Sequence, residues 1–209
     1  MIAANQSLQV YIMVYASMNN NDLALIVRVN EDIKKIVRLA SKINILALNA
    51  ILVSRRAGDV ALGFGVISDE LRKFSKELTD IMNNLTVLSY ESVQVVSQHQ
   101  RYLRINHLLT LARDNSDAQF IEAQLFNSNK HALVLKNNLR QGYQLLSKLI
   151  NDADDSSRFG SVISRSLKIE ATYGGQFSIL LSQIADEFSD YIDAIHPLIN
   201  ELKFYFREK

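Results

Sequence analysis

The stretch Leu46–Ser75 reads LALNAILVSRRAGDVALGFGVISDELRKFS. Apolar residues recur at helical spacing on both sides of Ala57-Gly58-Asp59. A helix with good sequence on either flank is therefore interrupted at one short spot. Gly just past a helix takes the left-handed conformation that ends it, and Asp is suited to begin the next one. Ala57-Gly58-Asp59 is thus expected to form the tip of an antiparallel helical hairpin. Ala47, Ala50, Ala57, Ala61, Gly63 and Gly65 are small and would let the backbones approach closely near it.

The pattern extends outward in sevens. Ile26, Ile33, Ala40, Ala47 and Ser54 form one stripe of the first arm, and Val29, Ile36, Ile43, Ala50 and Ala57 the other. In the second arm the stripes are Phe64, Leu71, Leu78, Leu85, Ser92, His99 and Ile67, Phe74, Ile81, Leu88, Val95, Tyr102. This is the a/d seam of coiled-coil-like packing. Core packing accounts for the seam, but it does not require Asn49, Arg56, Glu70 and Arg72 around it.

Those polar residues carry a resemblance. Asn44, Leu46, Ala47, Leu48, Asn49 and Ala50, then Arg56-Ala57-Gly58, then Gly63, Phe64 and Val66, then Asp69-Glu70-Leu71-Arg72 follow without a gap. From about Leu39 to Ser75 the chain resembles the cytoplasmic signalling tip of methyl-accepting chemotaxis receptors. The family pattern there runs N-x-L-A-L-N-A, an A-R-A-G turn, G-F-x-V and D-E-V-R. The resemblance implies a hairpin tip that docks a coupling protein or a histidine kinase. It assigns that contact to Asn44, Leu48, Asn49, Arg56, Gly58, Val66 and Glu70. It also implies that two hairpins pair into a four-helix bundle.

The chain departs from the family at several positions. Ser41 replaces an aromatic of the bundle-to-bundle contact, and Lys42 a common Gln. Val53 stands for an acidic residue, Arg55 for Ala, Ala61 for the first Gly of a Gly-x-Gly, and Leu62 for Arg. The paired Glu/Gln sites of methylation have no counterpart. These changes favour a second function, a structural or regulatory bundle that kept the receptor fold and lost kinase control.

Composition agrees with an all-α protein. One Pro and seven Gly in 209 residues leave room for long helices and few loops. A formal net charge of +1 creates no field for nucleic acid, and the absence of Cys excludes disulfides and thiolate chemistry. The longest apolar run, Ile43–Val53, is interrupted by Asn44 and Asn49 and falls short of the roughly 20 residues a membrane span needs. The N-terminus lacks the basic start and cleavage site of a signal peptide. The expected location is cytoplasmic, without membrane insertion.

A second hairpin is expected in the same chain. Shifted by 117 residues, Gly58 falls on Gly175, Asp69-Glu70-Leu71 on Asp186-Glu187-Phe188, and Asn20-Asn21 on Asn137-Asn138. Ile169-Glu170-Ala171 sits where the family often has I-E-A. Asp114-Asn115-Ser116-Asp117, midway between the two Gly tips, is a good turn and cap cluster. The reading is an internal duplication. Residues 1–115 form the first hairpin, with its tip near 57–59. Residues 116–209 form a degenerate second one, with its tip near 174–176. Together they would make one four-helix coiled-coil bundle, a monomeric pseudo-dimer. Arms of this length predict a rod on the order of 75 Å at 1.5 Å per residue. The competing architecture is a homodimeric rod without duplication. Asn151–Gly160, NDADDSSRFG, is expected to break or distort the third arm. Pro197 is expected to kink or end the last helix, since it lacks a donor and clashes with the preceding turn.

Chemistry-bearing clusters are weak. Gly58–Gly65 lacks the Lys-Ser/Thr of a phosphate loop. Asp152, Asp154 and Asp155 suggest a calcium loop, but Ile163 stands where its bidentate Glu belongs. His99, His107, His131 and His196 share no ligand spacing, and His99 is expected as a hydrogen-bonded core histidine. Arg55-Arg56 is too small a patch for nucleic acid. Asp69 and Lys73, four apart, are expected to pair on the helix surface. No nucleophile motif frames an active site. The chain is expected to be neither an enzyme nor a holder of metal or cofactor.

Overall fold

The computed structural model describes residues 2–114 and 119–207, with side-chain surroundings over 27–114 and 119–206. The chain is an all-helical bundle. Its order is α1 (Ile2–Ala57), α2 (Leu62–Asp114), α3 (Gln119–Thr172) and α4 (Ser178–Arg207). Two short 3-10 turns, Gly58–Ala61 and Gly175–Phe177, join α1 to α2 and α3 to α4. Residues 115–117 of the expected mid-chain turn lie outside the described residues.

The chain divides into two compact units. One comprises Met1–Met82 with Ala153–Lys209, the other Asn83–Asp152. The first unit holds α1, the opening of α2, the close of α3, α4 and both reversals. Its core is the heptad seam. Ile33, Ala40, Ala47 and Ser54 are buried, as are Val29, Ile36, Ile43 and Ala50. Phe64, Leu71, Phe74 and Leu78 bury the facing side of α2. Phe74 meets Phe188 of α4 edge-on, ring centroids 6.1 Å apart. The Ser75 hydroxyl donates to the Ala40 carbonyl at 2.5 Å and so ties α2 to α1.

The buried pattern of the first hairpin recurs 117 residues later. Ile36, Ala40, Ile43, Leu46, Ala47, Ala50 and Ser54 of α1 correspond to Ala153, Ser157, Gly160, Ile163, Ser164, Leu167 and Ala171 of α3, and all are buried. Phe64, Ser68, Leu71, Ser75, Leu78 and Met82 of α2 correspond to Leu181, Ala185, Phe188, Ile192, Ile195 and Ile199 of α4, again all buried.

Three local expectations are corrected. Asn151–Gly160 does not break α3, which runs through it to Thr172. Asp154 and Ser157 are satisfied by α4 and by their own helix, whereas the buried Ser156 hydroxyl has no hydrogen-bond partner among the described residues. Asp154 accepts hydrogen bonds from Lys203 and from Arg158. Burial alone would raise the Asp154 carboxyl, but the hydrogen bond and charge of Lys203, joined by Arg158, hold it below its ordinary value. Ser157 and Ser161 bracket the His196 ring, one hydroxyl on each nitrogen at 3.2 and 3.0 Å. Gly160 is needed for space: a side chain would begin 2.6 Å from Ile192 Cδ1 and 3.0 Å from the Phe74 ring.

Pro197 likewise does not end α4. It lies on the exposed face, as does Asp193 four residues earlier. The Asp193 carbonyl left without its helical donor can therefore turn to water. Finally, Asp59 does not begin α2. It sits within the exposed 3-10 turn, and α2 starts at Leu62.

The membrane expectation also changes in one respect. An 18-residue window within Val27–Asp114 has mean hydropathy 1.7 and at most two charged residues, enough by length and composition to cross a membrane. A third of that window is buried inside the structure. α1 buries Ala40, Ile43, Leu46, Ala47 and Ala50 against its neighbours.

The second unit is an antiparallel pair formed by the far part of α2 and the near part of α3. Its seam is sparser, with Leu85, Ala132, Leu146 and Ile150 buried and most of the rest half-exposed. Tyr102 stacks on His131 at 5.4 Å, and the Asn106 side-chain amide donates to Asn129 Oδ1 at 2.7 Å. His99 is half-buried rather than enclosed. Burial, helped by nearby Lys136, lowers its pKa.

Candidate docking surface at the first hairpin tip

The tip is built by two glycines and a serine. Gly58 has φ +67°, a conformation that any other residue adopts only with strain, and there α1 ends. The Ser54 hydroxyl donates to the Ala61 carbonyl at 2.5 Å, bridging the last turn of α1 to the end of the 3-10 turn. A side chain on Gly65 would start 2.6 Å from that hydroxyl, so Gly65 keeps the bridge clear.

With the seam buried inside, the outer faces carry the remaining residues. On α1, Leu48, Asn49 and Arg56 are exposed, and Asn44 is half-buried. Asn49 and Arg56 are seven apart and share a face. Neither makes a hydrogen bond or ion pair among the described residues. Gly58 is exposed at the turn, Val66 is exposed on α2, and Glu70 is half-buried one turn further on. Glu70 is engaged: Lys73 Nζ lies 2.6 Å from its carboxylate and, held by it, has a raised pKa. This corrects the expected Asp69–Lys73 pair, since the three-residue spacing wins over the four.

Asn44 lies apart from the turn. It lines a shallow groove between α1 and α2 together with Val37, Ser41, Asp69, Arg72 and Lys73. The structure thus sorts the seven candidates into two places. Asn44 belongs to the groove, with Glu70 beside it through Lys73. Leu48, Asn49, Arg56, Gly58 and Val66 occupy the outer faces and the turn.

Beyond Leu48 and Val66, sequence reasoning missed the apolar residues of this surface. Ile45, Leu52, Val60 and Leu62 are all more than half exposed, at 57%, 54%, 56% and 62%. Leu52, Val60 and Leu62 flank the turn with Leu48 and Val66, and Ile45 stands further down α1 next to Asn44. Their signal was present in the sequence, as large aliphatic residues at positions outside both heptad stripes.

Among the described residues no group of three His, Asp or Glu side chains converges as metal ligands would. Lys42, one of the residues that departs from the receptor pattern, is exposed, and its Nζ lies 5.7 Å from the centroid of the Tyr191 ring on α4.

Comparison with known proteins finds relatives over part of the chain. The methyl-accepting chemotaxis protein McpG of Pseudomonas putida is 30% identical over 83 residues, which cover 36% of this chain and 13% of that protein. The methyl-accepting chemotaxis protein PctB of Pseudomonas aeruginosa is 28% identical over 83 residues, with the same coverage of 36% and 13%. Over about a third of its length the chain is therefore related to methyl-accepting chemotaxis proteins, and it spans only a small part of their length. No family model and no solved structure matches it.

Proposed function

We propose that the chain is a chemoreceptor-like cytoplasmic signalling module that docks a coupling protein or histidine kinase through the tip of its first hairpin. One observation carries this reading. Leu48, Leu52, Val60, Leu62 and Val66 are exposed around the tip, with Asn49 and Arg56 free beside them. A partner that covers the aliphatic side chains gains from burial at roughly 25 cal/mol per Å², and the free polar groups set its register. Relation to methyl-accepting chemotaxis proteins supports a signalling role of this kind. The module has no catalytic task in this reading, since a rigid helical tip acts by presenting a surface and by biasing what it holds.

The test is calorimetric titration with the chemotaxis coupling protein from the same source. Asn49→Ala and Arg56→Ala are expected to remove binding while leaving helicity intact. Unchanged binding in both variants would sink the proposal.

A second reading is favoured by Ser41, Lys42 and Val53. Lys42 stands over Tyr191 of the same chain, and Ser41 and Val53 lack the aromatic and acidic side chains of the family pattern. The bundle would act as a structural or regulatory element without kinase control. In that case tip substitutions change stability alone, and reconstituted kinase activity does not respond to the protein.

A further inference from the structure

We infer that this chain is a fused pair of hairpins with a docking face on only one of them, so that one chain takes one partner molecule. The inference rests on the docking reading above and goes beyond it in stoichiometry and in the residues responsible.

The fusion follows from the repeat in the core. Gly58 and Gly175 have φ +67° and +54°, and both follow a long helix. The two tips lie side by side, since a Cβ on Gly175 would stand 3.4 Å from Val60 Cγ1. The seam between the hairpins is heterotypic. Ile43 corresponds to Gly160, where space is already taken by Phe74 and Ile192. Ala50 corresponds to Leu167, and both are buried. A second copy of the first hairpin would put Ser75 in the place of Ile192, but it would also bring an isoleucine into the place of Gly160 against the Phe74 ring and an alanine into that of Leu167. Overpacking at one site and a void at the other both destabilise. The chain therefore completes its own bundle and disfavours pairing of two first hairpins.

The one-sidedness follows from the outer faces. The apolar flank is present twice, with Ile45, Leu52 and Leu62 matched by Val162, Ile169 and Ile179, all exposed. Gly58 and Glu70 also recur, as Gly175 and Glu187, but four docking positions on the outer faces do not. Leu48 is replaced by Arg165, Asn49 by Ser166, Arg56 by Tyr173 and Val66 by Gln183. Arg165 is exposed and has no ion-pair partner among the described residues. A partner shaped for a leucine would have to desolvate that guanidinium without an anion opposite it. Lost apolar area at Gln183 and the lost register group at Tyr173 act in the same direction.

The experiment combines light scattering with calorimetric titration of the full chain by the coupling protein. The expected result is a monomer mass and one coupling protein per chain. Asn49→Ala is expected to abolish binding, and Tyr173→Ala to leave it unchanged. The second-hairpin variant Arg165→Leu/Ser166→Asn/Tyr173→Arg/Gln183→Val, with unaltered circular dichroism, is expected to raise the stoichiometry to two. Two partners per wild-type chain, or binding that survives Asn49→Ala and disappears in Tyr173→Ala, would overturn one-sided docking and leave docking itself standing. A folded quadruple variant that stays at one would overturn the assignment to these four positions. A stable dimer would overturn the fused-pair architecture. Absence of any binding would instead remove the docking reading, and the one-partner inference with it.

Discussion

Ser54 does two jobs because of where the heptad places it. Its buried position closes the α1 seam, and its hydroxyl finds the Ala61 carbonyl across the turn. Ser54→Ala is expected to cost about 1 kcal/mol, the net worth of one buried hydrogen bond, measured by urea unfolding. Gly58→Ala has open space around it, so its cost is conformational alone, on the order of 1 kcal/mol for a residue forced to positive φ. The exposed docking candidates behave differently. Asn49→Ala and Arg56→Ala are expected to change stability by no more than about 0.5 kcal/mol, because nothing in the fold depends on either side chain. The contrast separates residues that make the tip from residues the tip displays.

At the level of elements, α3 and α4 show what local sequence cannot convey. NDADDSSRFG reads as a helix breaker because three carboxylates, two serines and a glycine lie close together. Its partners are Lys203 and His196 of α4 and Phe74 of α2, all far away in the chain. The heptads of α1 and early α2 were legible because a buried stripe is a local periodic signal. The pairing that rescues residues 151–160 is long-range and carries no local mark. The exposed aliphatic flank of the tip was overlooked for the converse reason: its residues mattered by lying off the stripe.

Two measurements belong at this scale. Gly160→Ile would drive a branched side chain into Ile192 and Phe74 and is expected to cost at least the roughly 1–3 kcal/mol typical of overpacking, read from the unfolding midpoint. The Asp154–Lys203 pair gives a pH signature. The folded carboxyl is held below its ordinary value of about 4, so its stabilising contribution is full above that pH and is lost as pH falls through the folded pKa. In Asp154→Asn this part of the acid dependence should vanish from a stability profile taken at low pH. A profile parallel to wild type would show that the pair does not act in this way.

For the molecule as a whole, the all-helical bundle and the position of its first reversal could be read from periodicity and one glycine. The asymmetry between the hairpins could not, because it depends on which residues face the partner hairpin and which face water. That distinction makes the chain a bundle with a displayed tip and a covered seam. On the proposed function, the displayed tip docks a signalling partner. The most direct test is titration of the purified chain with the chemotaxis coupling protein by calorimetry, with Arg56→Ala in parallel. The expected result is saturable binding by the wild-type chain and none by the variant. Heats that never rise above dilution, or identical isotherms for the two proteins, would contradict it.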